Sequence, residues 1–140
     1  MDPTLRQAIE QAVLQEPYCQ HMGMQLVHLE TGRSVIEADY RPELMDNLFR
    51  RAHGGALFAL IDEAFETVAQ SDGTVAVALN VNVTYIASPE PGVRLRAEAR
   101  EISATRKTAN YEIRVSAGDQ LLATCQALAY RTGKPLPFLP

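Results

Sequence analysis

One acidic residue stands out because of its place in the chain. Asp62 lies in the middle of segment 54–69, GGALFALIDEAFETVA, whose first two turns are apolar nearly all round if the segment is a helix. Burying an unpaired carboxylate is costly, so a carboxylate kept there needs a reason. The chemistry open to Asp62 is that of a general base or a nucleophile facing a cleft. The alternative is a polar helix edge that begins at Asp62 and continues through Glu63 and Glu66.

The start of the same segment offers a second chemical group. His53, Gly54 and Gly55 stand at the expected N-terminus of the helix. Paired glycines leave backbone N–H groups unobstructed, and the helix dipole favours partial negative charge at this end. Such N–H groups can polarise a carbonyl oxygen, as an oxyanion hole does. The alternative is that the glycines only permit a tight entry turn or close packing.

The combined spacing of these residues resembles the signature of a known family. Segment 53–65, HGGALFALIDEAF, has an Asp nine residues after its His and an Asn six residues before it, here Asp62, His53 and Asn47. This pattern is similar to that of the hotdog-fold acyl-CoA thioesterases, in particular the PaaI-like branch of the phenylacetate-degradation type. The N-terminal helix, the segment VNVTYIASPEPG and the final four strands extend the resemblance over nearly the whole chain.

The resemblance implies a fold, an activity and a set of roles. It implies a long helix enclosed by a curved antiparallel sheet, and hydrolysis of the thioester of an acyl-coenzyme A. We expect no cofactor. Asp62 would be the catalytic carboxylate, as general base on water or as nucleophile. The Gly54 N–H would polarise the thioester carbonyl, with Gly55 adjacent. Asn47 would help to hold the water or the thioester, and His53 would shape the loop and assist orientation.

Geometry gives an independent reason to expect a dimer. If the helix begins at Gly54, Asp62 lies about 12 Å further along the axis. A reacting carbonyl must be within roughly 3 Å of its donor and close to the attacking group. Two antiparallel helices would bring Gly54 of one chain near Asp62 of another. We therefore expect a homodimer with two shared active sites, and the family resemblance makes a homotetramer the expected assembly.

Coenzyme A is a polyanion, whereas this chain has 13 basic and 17 acidic residues and a formal charge of −4. Its phosphates therefore need local basic groups. Arg106 and Lys107, between two strands, come first because basic residues there resemble the family's pattern, and Arg50 and Arg51, just before the His, come second. Each could equally be a solvated turn charge. The apolar residues that could line an acyl pocket, or simply form core, are Met45, Leu48, Phe49, Phe58 and Phe65.

The hydrophobic pattern predicts the elements before this site. Apolar residues at helical spacing predict a first helix, which starts at the Asp2-Pro3-Thr4 signal and ends at Pro17. Segments 24–28 and 33–40 are predicted to form a strand pair. The polar segment 41–51 is predicted to be a loop.

After the helix over residues 54–69, the pattern is that of strands. Apolar and polar residues alternate over 77–85, 94–100 and 109–115, and a last strand is predicted over 121–130. The tail TGKPLPFLP is too rich in proline to be expected to extend the sheet. One very apolar helix beside long antiparallel strands predicts a single α+β domain over residues 1–140, a sheet wrapped around a central helix.

Composition excludes several classes of protein. A share of 46% hydrophobic residues in 140 can fill a core, so disorder is not the main state. The acidic balance argues against a nucleic-acid surface. No stretch approaches the roughly 20 apolar residues of a membrane span, and no secretory signal is evident, so we expect a cytoplasmic protein with no membrane partner. Two isolated cysteines and three histidines without metal-binding spacing predict neither a disulfide framework nor a metal site.

The function expected from the sequence is hydrolysis of a small or medium acyl-CoA, aryl groups included, to free acid and CoA. One alternative is a non-catalytic acyl-CoA-binding or regulatory hotdog domain, against which the retention of Asp62 and Asn47 argues. Another is a scaffold that acts only in assembly, which leaves Asp62 unexplained.

Overall fold

The computed structural model describes residues 1–139. Its helices are α1 (Pro3–Gln15), α2 (Pro17–Met22), α3 (Pro42–Met45) and α4 (Gly54–Ala69). Its strands are β1 (Gln25–Glu30), β2 (Arg33–Asp39), β3 (Thr74–Tyr85), β4 (Arg94–Ala104), β5 (Thr108–Ala117) and β6 (Gln120–Pro135). The strands form one antiparallel sheet in the order β1-β2-β4-β5-β6-β3, so β1 and β3 are its edges.

Helix α4 fills the concave side of this sheet. Its bounds are those that the sequence predicts, because His53 caps its start and a turn closes its end. Leu60, Ile61 and Ala64 have no exposed surface and pack against the inner face of the sheet. The predicted α+β class, a sheet wrapped around a central helix, is therefore confirmed. Within residues 1–139, no helix is long and apolar enough to span a membrane.

The two faces of the sheet differ as the alternating pattern predicts. On the inner face of β4, Leu95, Ala97 and Ala99 are fully buried. The outer face carries ion pairs between strands, such as Arg96 to Glu37 at 2.8 Å. On β2 and β4, one side of the strand therefore builds the core under α4 and the other is charged.

Two short helices were not expected from the sequence. The first predicted helix ends at Gln15, and Pro17 begins α2 rather than only ending α1. Pro42 likewise begins α3 inside the segment predicted to be a loop. The physical reason is the same at both places, because proline has no N–H to lose in the first turn of a helix and its φ is already helical.

The prediction that the proline-rich tail does not extend the sheet is wrong for residues 132–135. Strand β6 runs to Pro135, which pairs with Thr74 of the edge strand β3. Strand β5 ends its pairing with β6 at Tyr130, so this last part of β6 has only one neighbour. A proline at the end of a strand costs little there. Pro140, the last residue of the predicted tail, lies outside the described residues.

Candidate active site

The segment between α3 and α4 is a closed loop that delivers the first turn of α4. The His53 N–H donates to the Met45 carbonyl at 2.7 Å, and Asp46 forms an isolated antiparallel bridge with Ala52. The Tyr40 hydroxyl donates to Asp46 and ties this loop to the end of β2. The loop is therefore anchored at its base, while its tip faces solvent.

Asn47 orders the tip of the loop. Its Oδ1 accepts from the Phe49 N–H at 2.9 Å and the Arg51 N–H at 3.2 Å. This turn places Arg50 in the left-handed region, with φ of 55°. Among residues 1–139, the side-chain NH2 of Asn47 donates to no group. The side-chain oxygen is thus used by the loop, and the NH2 is the part of Asn47 still free to hold another molecule.

The N-terminus of α4 has one occupied and one free N–H. His53 is the N-cap, and its Nδ1 accepts from the Gly55 N–H at 3.0 Å. Within the described chain, the Gly54 N–H has no hydrogen-bond acceptor. Gly54 therefore presents an unpaired donor at the positive end of the helix dipole, while Gly55 holds the His53 ring.

Tyr85, at the end of β3, closes over this first turn. Its hydroxyl donates to the Gly54 carbonyl at 3.1 Å. A Cβ on Gly54 would lie 3.2 Å from the Tyr85 Cζ, a tight contact that the tyrosine ring would have to relieve by moving a few tenths of an ångström. Sequence reasoning missed Tyr85, because the contact spans 31 residues and the tyrosine lies in an ordinary strand pattern.

Asp62 lies two turns further along α4, about 12 Å from Gly54 along the axis. Its side chain is exposed on the single chain and borders a cavity of 220 Å³ between α4, β3 and β6. The apolar atoms around it raise its pKa through desolvation. The other residues lining this cavity are Phe65, Glu66, Ala69, Gln70, Ala76, Val77, Ala78 and Ala129.

The carboxylate that α4 buries is Glu63, not Asp62. Glu63 has 3% of its surface exposed, whereas Asp62 and Glu66 are both exposed. One step along a helix turns the side chain by about 100°, which directs Glu63 toward α1. Asp62 and Glu66 therefore lie on an exposed polar edge of α4, as the alternative interpretation expects. Glu63 does not lie on that edge.

The basic residues predicted to hold phosphates differ in whether their charged groups already contact another side chain. The Lys107 ammonium donates to the Tyr130 hydroxyl at 3.2 Å and lies 5.3 Å from the centre of that ring. Arg51 pairs with Glu90 at 3.8 Å. Arg106 and Arg50 are exposed and, within residues 1–139, form no ion pair.

These basic residues also lie at opposite ends of α4. Arg50 and Arg51 precede its first turn. The turn that carries Arg106 is held at the other end, because Arg131 donates to the Thr105 carbonyl at 2.9 Å and pairs with Asp72 just after the helix. A helix of 16 residues is about 24 Å long. A single chain therefore does not bring the two basic pairs together.

The residues predicted to line an acyl pocket also lie in different places and differ in exposure. Phe65 lines the cavity beside Asp62 and is buried. Met45 is core, with 1% of its surface exposed, and Phe58 is half-buried. Leu48 and Phe49 stand out from the loop tip, with exposed fractions of 85% and 74%.

The structure also brings together three carboxylates that the sequence analysis did not connect. Glu16, Glu63 and Glu66 each place one oxygen within 4.8 Å of the others. Glu63 and Glu66 are three residues apart on α4, which is a weak signal by itself. Glu16 comes from the junction of α1 and α2, and only the tertiary fold places it there.

The fold, with one helix enclosed by a six-stranded antiparallel sheet, is of the hotdog type. The model of the family described as the Thioesterase superfamily matches residues 49–124 of the chain. This match covers more than half of the sequence and includes both Gly54 and Asp62. The chain belongs to the thioesterase superfamily.

Relatives in sequence agree with this assignment. A candidate esterase of Archaeoglobus fulgidus is 31% identical over 117 residues, which are 83% of this chain and 75% of that protein. The acyl-coenzyme A thioesterase PaaI of Escherichia coli is 27% identical over 94 residues, 67% of this chain and 66% of that protein.

Solved structures show the same fold. A mutant of the phenylacetic acid degradation protein PaaI from Thermus thermophilus is 33% identical, with a TM-score of 0.79 over 83% of this chain and 99% of that one. The Escherichia coli PaaI protein has a TM-score of 0.88 at 22% identity, over 94% and 96% of the two chains. The protein smu.793 from Streptococcus mutans UA159, solved bound to acetyl-CoA, has a TM-score of 0.75 at 26% identity, over 81% and 91%. The PaaI-like resemblance is thus confirmed.

Proposed function

We propose that the protein is an acyl-CoA thioesterase that hydrolyses small or medium acyl groups, aryl groups included. The observation that carries this proposal is the Gly54 N–H, which lacks an acceptor among residues 1–139 and lies at the positive end of α4. An oxyanion that forms at a thioester carbonyl needs such a donor. The exposed carboxylate of Asp62 on the same helix supplies the base or nucleophile.

The chemistry follows from these two groups. As general base, Asp62 takes a proton from water while the water oxygen attacks the thioester carbon and the carbonyl electrons move onto oxygen. The Gly54 N–H stabilises this oxyanion. When the tetrahedral intermediate collapses, the C–S bond breaks, and the thiolate of CoA takes the proton from Asp62. As nucleophile, Asp62 would instead attack the carbon directly, the C–S bond would break to release the CoA thiolate, and water would then hydrolyse the mixed anhydride. The raised pKa of Asp62 makes it a better base than an ordinary aspartate.

A second chain completes the site in this proposal. Gly54 and Asp62 of one chain are too far apart to act on one carbonyl. Strand β3 is a 12-residue edge strand with Val77 and Leu79 about half exposed. A long, apolar, unpaired edge supports association through β3. We therefore propose a homodimer in which Gly54 of one chain faces Asp62 of the other, and a homotetramer built from such dimers.

In this dimer, basic residues of both chains could bind the phosphates of one CoA molecule. If the two α4 helices are antiparallel, the loop with Arg50 on one chain approaches the end of α4 near Arg106 on the other. Both are exposed and unpaired in the described chain, so they are the first choice for the phosphates of CoA. Lys107 and Arg51 would join them only by leaving Tyr130 and Glu90. Binding of acetyl-CoA by the smu.793 protein supports CoA as the carrier.

The cavity beside Asp62 limits the acyl group. Its volume of 220 Å³ is below the range typical of drug-sized ligands, and alanines form much of its wall. This size supports small and medium acyl groups, with Phe65 as the aromatic contact.

The assay is release of free CoA thiol from short, medium and aryl acyl-CoA esters by the purified protein, with and without a chelator. We expect turnover that the chelator leaves intact, since neither Gly54 nor Asp62 needs a metal for its role. Tight binding of acyl-CoA without turnover across the panel would favour the non-catalytic binding domain. Activity that disappears with the chelator while the protein stays folded would contradict the metal-free mechanism.

A further inference from the structure

A second polar site lies on the other side of α4, between that helix and α1. The carboxylates of Glu16, Glu63 and Glu66 meet here, each with an oxygen within 4.8 Å of the others. Glu63 is 97% buried, and its Oε1 has no hydrogen-bond partner among residues 1–139. Buried polar groups in folded proteins almost always have a partner. The unpartnered oxygen of Glu63, on a side chain that belongs to the cluster, is therefore open to a ligand.

The described chain offers this cluster no positive charge. None of the three carboxylates takes part in an ion pair within residues 1–139. Burial, the charges of Glu16 and Glu66 and a side-chain hydrogen bond with Glu16 together raise the pKa of Glu63 to about 8, so without an ion Glu63 keeps its proton at neutral pH. When all three carboxylates are ionised at this spacing, they repel one another strongly where water is partly excluded. A cation is the ligand that relieves both the repulsion and the unpaired oxygen.

The neighbouring thiol does not join the cluster as a ligand. Cys19 donates to the Met24 carbonyl at 3.3 Å, and its sulfur is not among the ligand atoms that lie within 4.8 Å of one another. The donor set is therefore carboxylate oxygen alone, which selects hard cations over zinc or copper.

A cavity gives access to the three carboxylates. It has a volume of 490 Å³ and lies between α1, α4 and the C-terminal segment. Its walls are largely apolar, with Ile9, Val13, Val75 and Leu136 among the lining residues, and the carboxylates are its acidic part. There is room for an ion with waters that complete its coordination.

We propose that Glu16, Glu63 and Glu66 bind one calcium ion that links α1 to α4. The three carboxylate oxygens lie within 4.8 Å of one another, so one ion with oxygen ligands at about 2.4 Å can contact all three. Ca²⁺ is the first choice because it accepts flexible oxygen coordination, whereas Mg²⁺ demands a near-ideal octahedron. Glu16 lies at the end of α1, so the ion holds the N-terminal helices against the central helix. This proposal does not rest on the thioesterase activity.

The direct test is calorimetric titration of CaCl2 into the full chain after chelator treatment. We expect one calcium ion per chain. Thermal unfolding should shift upward by roughly 5–10 °C at a free Ca²⁺ concentration 100 times Kd. The shift should grow between pH 5 and pH 8, because protons compete with the cation for the same carboxylates. No binding at millimolar Ca²⁺, or a shift produced by an alkylammonium ion and not by Ca²⁺, would overturn the proposal.

Variants separate this site from general charge effects. Glu63→Gln should abolish the Ca²⁺ shift and, in chelator, melt at or above the wild type because one repulsive charge is gone. Because Glu66 is exposed, Glu66→Gln should fold as the wild type does, and it should weaken Ca²⁺ binding at least tenfold. Glu101→Gln removes an exposed carboxylate elsewhere and should keep the full shift. Equal Ca²⁺ shifts in all three variants would show that the cluster is not the site.

Discussion

Asp62 and Glu63 are neighbours on the same helix with the same functional group, yet their surroundings are opposite. Asp62 is exposed beside a small cavity, two turns from the free N–H of Gly54. Glu63 is 3% exposed and faces two other carboxylates. One step of about 100° around the helix separates an exposed carboxylate from a buried one. We infer that the first serves the reaction and the second serves stability.

The largest expected difference between the two is in turnover. Asp62→Asn keeps the size of the side chain and removes the base, so kcat at saturating acyl-CoA should fall by about 10²–10⁴-fold. Glu63→Gln is the matched control, one residue away, and should keep kcat within a few-fold of the wild type. Thermal melting checks that both variants fold. Near-normal turnover by Asp62→Asn, together with loss in Glu63→Gln, would reverse the assignment of the two carboxylates.

The second difference is in the pH dependence of stability. Folding raises the pKa of Glu63, so its folded form binds a proton more readily than its unfolded form. The stability that this protonation contributes is therefore fully present below the unfolded pKa of about 4.3. It is lost as the pH rises through the folded pKa of about 8. In chelator, the wild type should lose roughly 5 °C of Tm between pH 5 and pH 8 relative to Glu63→Gln. Parallel curves for the two proteins would mean that Glu63 is not held neutral by its surroundings.

The smallest effect should come from a change away from both carboxylates. Arg106→Gln removes an exposed charge proposed to meet a CoA phosphate, so KM should rise a few-fold, more at low salt than at high salt, with kcat unchanged. Lys107→Gln is the companion variant, and because Lys107 already contacts Tyr130, its effect on KM should be smaller. A fall in kcat with either variant would mean that this turn takes part in the reaction rather than in binding.

Much of the fold follows from local signals in the sequence. The apolar pattern and the flanking glycines define α4 to the residue, and alternation defines the strands. The extension of β6 to Pro135 did not follow, because it depends on β5 beginning opposite Tyr130 and leaving one side of the last residues of β6 free. That arrangement is a property of the whole sheet.

The orientation of side chains around α4 was harder to predict. In a segment that is apolar nearly all round, periodicity does not say which of Asp62 and Glu63 faces inward, and the packing of α1 decides it. The contacts of Tyr85 with Gly54 and of Glu16 with Glu63 join residues that are 31 and 47 positions apart. Distances in sequence of this size carry no spacing signal that a single sequence could reveal.

The central claim is that the oxyanion donor and the carboxylate of one active site come from two chains. Two inactive variants test it together. Gly54→Pro removes the N–H donor at the first helical residue, where proline is tolerated, while Asp62→Asn removes the base. The two chains are co-expressed in equal amounts, and kcat is compared with that of each variant alone.

If the site is shared, half of the randomly formed dimers contain both variants, and each of these has one intact site and one doubly altered site. The mixture should then recover about a quarter of the wild-type activity per chain. If each chain holds its own complete site, every site in the mixture carries one of the two changes, and no activity returns. Recovery near a quarter is the result that we predict, and activity no higher than that of the separate variants would contradict the shared site.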